Sequence, residues 1–272
     1  MGVGRHKKEF HEYLVESNGR HVVHEDYSRS PASAFLRYTI EAKDAVSYCQ
    51  KHFPKNADGA YRKDAMDSLQ YIVSAFLPAI MGHFETFERY LFAGVFEHSR
   101  LLHGFDVEKF FSRLKKECNV SIDAVRLGAY RGFRAPVGIL LADNLPGWHD
   151  PERVNSYFSA FGFKRQFFSN DDCARLRVLW QLRHSIVHTG GSITIPDAQK
   201  VDELKAYGGK PVVFDAQFVF EVSRRMHPLV KTATKGIEDC FRIGLIDNVP
   251  KQDQESLAKL FEVKSSAPAW LR

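Results

Sequence analysis

Leu69-Gln-Tyr-Ile-Val-Ser-Ala-Phe-Leu-Pro-Ala-Ile-Met-Gly-His-Phe-Glu-Thr-Phe-Glu-Arg-Tyr-Leu-Phe-Ala-Gly-Val95 carries the strongest periodicity in the chain. Leu69, Ile72, Val73, Phe76, Leu77, Ile80, Phe84, Phe87, Leu91 and Val95 step by three and four, which lines them up on one face of a long α-helix. Pro78 falls inside the pattern and is expected to kink the helix rather than end it. Glu88 sits at the margin of the stripe and Glu85 farther round. An acid in either place is ordinarily solvated, but Glu88 is positioned to reach an internal cation.

Helical patterning continues on both sides. Residues 1–30 are polar, include His21 and His24, lack periodicity and read as an N-terminal arm. Ser30-Pro31-Ala32-Ser33 is a helix-start signal for Phe35, Tyr38, Ala42, Ala45 and Cys49, and Pro54 with Asp58-Gly59 closes that unit. A helix follows over about 106–118, and 128–150 is a loop-rich connection. There Arg126, Arg131 and Arg134 interleave with Tyr130 and Phe133, a composition shared by nucleic-acid contact surfaces and solvated loops. Arg131 and Arg134 are the candidate RNA-binding residues.

Asp150-Pro151-Glu152 starts a short helix with Val154, Tyr157, Phe158 and Phe161, ended by Gly162. Asn170-Asp171-Asp172 caps a helix over about 171–189. Residues 192–195 and 211–214, joined through Gly208-Gly209, read as a small β-hairpin-like excursion. Helices over about 215–244 and 253–262 complete the chain. No 20–50-residue repeat interrupts it. The expected fold is all-α, a single helical domain over 31–272.

The 272 residues can bury a sizeable core, and 22 of them are phenylalanine. A hydrophobic share of 44% and a charged share of 26% are those of an ordinary globular protein. The formal charge of +5 permits a polyanionic partner without demanding one. Cys49, Cys118, Cys173 and Cys240 are scattered without a C-x-x-C pair, so buried free thiols are expected in place of disulfides or a zinc site. No apolar run approaches about 20 residues and no signal-peptide pattern precedes the first helix, so a cytoplasmic setting without membrane insertion is expected.

Chemistry concentrates in Arg183-His184-Ser185-Ile186-Val187-His188-Thr189-Gly190-Gly191. At about 100° per residue, Leu176, Leu179, Trp180, Ile186 and Val187 line one helix face, and Arg183 falls within that stripe. A permanent charge there needs a carboxylate such as Glu88 or Glu85, backbone carbonyls, or an opening at a subunit interface. His184 and His188 lie one turn apart on the flank. Such a pair can bind zinc, but no glutamate follows the first histidine and no third ligand is evident, so no metal or other cofactor is assigned. Each histidine alone is also an ordinary helix-end residue. Gly190 and Gly191 supply the left-handed backbone that stops the helix.

Arg183, four intervening residues, His188 and the following glycines resemble the R-x4-6-H signature of HEPN domains, found in prokaryotic ribonucleases of toxin–antitoxin, CRISPR and anti-phage systems. The resemblance extends over roughly 65–245. It implies a helical bundle that homodimerises, joining two motif copies in one cleft, and an RNase that needs no metal. The position after the arginine is often asparagine in this family; here it is His184, whose role stays open between catalysis and structure. Some relatives have lost catalysis and bind nucleic acid or a partner, and retention of Arg183 and His188 favours an active enzyme.

The implied reaction is attack of a ribose 2′-hydroxyl on the adjacent phosphate, leaving a 2′,3′-cyclic phosphate and a 5′-hydroxyl. Histidine as a residue type titrates near neutrality and suits His188 to proton transfer. Arg183 suits the developing charge on phosphorus oxygens. Ser185 and Thr189 are supporting hydrogen-bond candidates, or simple helix-end residues. One histidine does not easily serve as acid and base in one step, and a two-fold dimer supplies two. DNA lacks the nucleophile, so RNA is the expected partner. An antitoxin or ATPase is a candidate partner. Two other readings are a silent HEPN-type module that regulates a nucleotidyltransferase, kinase or ATPase partner, and a metallohydrolase built on His184 and His188.

Overall fold

A computed structural model describes residues 22–118, 136–215 and 217–264. The described chain is mostly helical. Its α-helices are α1 (His24–Arg29), α2 (Pro31–His52), α3 (Lys63–His98), α4 (Val107–Cys118), α5 (Val137–Asn144), α6 (Pro151–Ser159), α7 (Asn170–His188), α8 (Ile195–Ala198), α9 (Phe218–Ile243) and α10 (Lys251–Leu260). No helix among the described residues is long and apolar enough to cross a membrane.

The 36 residues of α3 run through Pro78 without a break. The first half is amphipathic, burying Leu69, Val73 and Leu77 while Tyr71 is exposed. From Phe84 to Val95 most of the helix is buried, with Phe84, Phe87, Leu91, Phe92 and Val95 fully so, and Glu85, Thr86 and Arg89 form a partly exposed edge. A helix buried over most of its circumference needs several neighbours. α1, α2, α5, α6, α7, α9 and α10 all pack against it. α2 in turn carries α9, and α4 packs on α6.

Phe92 marks the centre of this arrangement. Trp148, Tyr157, Phe158 and Phe161 meet its ring edge-to-face at 5.6, 6.3, 5.8 and 5.3 Å between centroids, the geometry that matches positive ring edges to negative faces. The polar tips of the two amphipathic rings are satisfied within the same segment. Trp148 Nε1 donates to the Ala142 carbonyl at 3.0 Å, and the Tyr157 hydroxyl donates to the Pro146 carbonyl.

Several local expectations are corrected. The loop assigned to 128–150 contains α5, whose backbone crosses α3 so closely that a Cβ on Gly138 would lie 2.3 Å from the Ala93 carbonyl oxygen. Its eight residues are too few to show a periodic pattern, and it is ordered by this crossing. Residues 22–30, assigned to the polar arm, include α1, which docks through buried Tyr27 on α2 and α3. Residues 1–21 lie outside the described residues, as do Arg126, Tyr130, Arg131, Phe133 and Arg134. Helix α7 is capped by Ser169, whose Oγ accepts from Asp172 N at 3.1 Å, so Asn170 is its first residue.

The excursion after α7 is not a hairpin of two strands. Ser192 and Pro211 form one antiparallel bridge, flanked by Ile193 N to Lys210 O and Val212 N to Gly191 O. Between them the chain turns helical, because Thr194-Ile-Pro-Asp197 is a capping sequence with proline in the first turn. Cys49, Cys173 and Cys240 are free thiols, and only Cys173 is buried; Cys49 and Cys240 lie partly exposed on α2 and α9.

Gly138→Ala is expected to destabilise the protein by about 1–3 kcal/mol, because the contacted atom is backbone and has no rotamer to give way. Chemical denaturation checks this; unchanged stability would mean that α5 is not held against Ala93.

Candidate functional site

At about 100° per residue, Arg183, His184, Val187 and His188 continue the azimuth of Cys173, Leu176 and Trp180 along α7. Cys173, Leu176 and Trp180 are buried. In the last turns the buried side swings round to Gln181 and Ser185, and the original stripe runs out of the core. Val187 is 46% exposed, His188 is exposed, and Arg183 is half-buried. Arg183 therefore stands at the rim of the core, not inside it. It finds no carboxylate among the described residues. Its Nε is buried without a partner, and its Nη1 lies 3.4 Å from His188 Nε2. That contact is a hydrogen bond only when Nε2 is the unprotonated acceptor, because a guanidinium only donates.

His184 and His188 rings are 4.9 Å apart between centroids. His184 Nε2 lies 3.9 Å from the Asp197 carboxylate, with 43% of the histidine side chain exposed. Asp197 belongs to the first turn of α8 and was missed in the sequence. It accepts from Lys200 Nζ at 2.7 Å and from Thr194 Oγ1 at 2.8 Å. Those bonds hold its carboxyl below the usual range, the lysine contact being the larger cause and the threonine hydroxyl the next. An ionised carboxylate is thus fixed beside His184. The signal was present in the Thr194-x-x-Asp197 capping box.

A small second core fixes this geometry. Ile193, Ala198, Val201 and Leu204 cluster with Val178 and Leu182 of α7, so α8 is packed onto the motif helix. Gly190 and Gly191 have φ of +64° and +76°. The Ser185 carbonyl accepts from Thr189 N, Thr189 Oγ1 and Gly191 N at 3.3, 2.9 and 3.0 Å, closing the helix and turning the chain toward α8. Among the described residues no atom beyond the chain neighbours lies within 4 Å of a Cβ built on either glycine, so they leave the backbone beside the histidines uncovered.

A third histidine was also missed. The α5–α6 connection, anchored by buried Trp148, brings exposed His149 to 6.1 Å from the Trp180 ring, at an interplanar angle of 71°. Trp180 lies one turn before Arg183 and His184. Nothing local in the sequence around His149 marks it. Among the described residues, no group of three or more His, Cys, Asp or Glu side chains is arranged to hold a metal ion.

The four supporting residues differ in what surrounds them. Glu85 pairs with Arg89 at 2.6 Å, and Arg89 also meets Asp143 at 3.4 Å. Glu88 is fully buried with neither carboxylate oxygen hydrogen-bonded, so it does not answer the Arg183 charge. Ser185 is likewise fully buried, and the Thr189 hydroxyl is committed to the Ser185 and Ser192 carbonyls. The local reason is again the swing of the buried face, which turns Ser185 inward and the histidines outward. Comparison of the chain with protein-family models, curated proteins and solved structures finds no match.

Burial pushes the Glu88 carboxyl well above the usual range; neighbouring Glu85 adds to this and Arg89 opposes it. The folded protein therefore holds this proton to higher pH than the unfolded chain does. Its contribution to stability is fully present below the unfolded carboxyl range, about pH 4.3, and is lost as pH rises through the folded value. Glu88→Gln is expected to melt higher than the wild-type protein at pH 8, with the gap closing toward pH 4. Thermal melts across that range read the difference, each 1 kcal/mol giving roughly 2–4 °C at about this size. A gap that does not depend on pH would show Glu88 to be paired and ionised.

Proposed function

We propose that this chain is a metal-independent endoribonuclease of HEPN type that cuts RNA to 2′,3′-cyclic phosphate and 5′-hydroxyl ends. The observation that carries the reading is the opening at the end of α7, where two histidines and an arginine with no carboxylate partner among the described residues meet beside glycine backbone.

The chemistry follows from the side chains. His188 takes the proton of the ribose 2′-hydroxyl at its unprotonated ring nitrogen. The 2′-oxygen then bonds to phosphorus as the bond from phosphorus to the 5′-oxygen breaks. An acid returns a proton to that leaving oxygen. Within one chain His184 is the nearest candidate, its ring 4.9 Å from that of His188 and its Nε2 3.9 Å from the Asp197 carboxylate. Arg183 has planar donors for the equatorial oxygens of the transition state and sits half-desolvated, where its charge counts for more. Pairing of two copies across the exposed Val187 face joins two such openings, and we propose a homodimer on that basis. A role as a defence or toxin effector, with an antitoxin or ATPase partner, belongs to the same proposal.

With total RNA and isolated tRNA in EDTA, the wild-type protein is expected to cleave. Arg183→Ala and His188→Ala are each expected to lower the rate by about 10² to 10⁴ while keeping the wild-type melting profile. Asp197→Asn is expected to cost less than either, because it leaves Arg183 and both histidines in place. End-group analysis identifies the cyclic phosphate. Full activity in the His188→Ala protein, or a requirement for added metal, rejects the mechanism. RNA binding without cleavage would identify the silent module. A mixture of the Arg183→Ala and His188→Ala proteins regains activity only if the site is shared between two copies.

A further inference from the structure

We infer that a second, separate site, shaped for a small planar aromatic anion, lies beyond the opposite end of α7. A cavity of about 600 Å³ opens between the 102–106 loop with α4, the turn after α6, and the end of α9. This is within the range of small-ligand pockets, roughly 300–1,000 Å³. Phe163 and Lys164 of its wall also border the start of α7 at Asn170. The histidine opening is at the other end of that 19-residue helix, ~28 Å away along its axis.

The walls are pinned. His103 N donates to the Gly244 carbonyl at 2.7 Å, Ile246 N donates to the Leu101 carbonyl at 2.9 Å, and Leu102 bridges Leu245. Gly162, with φ of +85°, turns the chain below α6. A Cβ on this glycine would lie 2.6 Å from Arg113 Nη1, so only a bare Cα lets the guanidinium lie against the turn. Arg113 Nη1 donates to the Ala160 carbonyl at 3.3 Å, and no carboxylate among the described residues pairs with Arg113.

The cavity wall carries net positive charge. Asp106, also in the wall, is matched by Lys109 at 3.1 Å, and among the described residues no carboxylate pairs with Arg113 or Lys164. A half-buried guanidinium has lost part of its hydration and presents a rigid fork, the combination that selects an oxyanion. Beside it, half-buried Phe105 and Phe163 each stack on buried Phe161, at 6.3 and 5.6 Å. They offer ring surface to a flat ligand next to the two cations. Aryl phosphates and mononucleotides share that chemistry.

Calorimetric titration of the whole protein with phenyl phosphate, AMP and inorganic phosphate tests the assignment. The better aromatic phosphate is expected to bind at least tenfold tighter than inorganic phosphate. Preference for AMP identifies a nucleotide site and preference for phenyl phosphate an aryl-acid site; either outcome supports the inference. Arg113→Met is expected to weaken binding tenfold or more. Lys164→Gln, an exposed change that leaves folding intact, is expected to weaken it several-fold. His188→Ala leaves this binding unchanged, which separates the site from the RNase reading. Equal affinity for inorganic phosphate, unaltered affinity in both cation variants, or no binding of either aromatic phosphate overturns the inference.

Discussion

The second half of α3 buries most of its circumference, and much of the described structure takes its position from that fact. A helix with one apolar stripe needs one neighbour. α3 as a whole packs against α1, α2, α5, α6, α7, α9 and α10, and between Phe84 and Val95 an edge of Glu85, Thr86 and Arg89 stays partly exposed. Such burial leaves little tolerance for polar groups. Glu88, wrapped by this packing with both oxygens unsatisfied among the described residues, holds its proton to higher pH than an ordinary carboxyl. The aromatic cluster around Phe92 extends the same core to α6 and to the α5–α6 connection, which is how His149 comes to lie over Trp180.

α7 shows how a functional surface arises from a packing helix without a separate device. Its core-facing stripe holds as far as Trp180. There the covering elements end, and the same azimuth becomes solvent-facing. Arginine and histidine tolerate that rim, where their stems pack and their heads stay wet. The excursion over 192–212 then adds what the helix alone lacks: a carboxylate beside His184, held ionised by Lys200 and Thr194. Its small core of Ile193, Ala198, Val201 and Leu204 makes that placement a property of the fold, since α8 cannot shift without exposing it. Elsewhere on the surface, α9 carries helix ion pairs three or four residues apart, as at Arg224–Glu221, Lys235–Glu238 and Arg242–Glu238.

Much of this was legible in residue order. The 3.6-residue period announced α2, α3, α6, α7 and α9, and two glycines announced the end of the motif helix, because both signals are local. The histidine pair and Arg183 were legible as a cluster for the same reason. Short elements were not. α5 and α8 have eight and four residues, too few for a period, and they exist because Gly138 can meet Ala93 and because Thr194 caps a turn. The apparent strands at 192–195 and 211–214 had the right residue types, but a single bridge is all that the intervening helical turns leave room for.

The amino-acid order by itself determined the long helices and which side chains with catalytic capability share a helix end. That information resides in spacing and in backbone preference, which neighbours along the chain impose. Tertiary structure alone decided what those side chains face. Arg183 sits at the rim of the core with His188, not opposite Glu88; Ser185 is sealed inside; Asp197 stands by His184. Exposure at a given azimuth depends on where covering helices stop, and that is a long-range property of packing which no local pattern encodes.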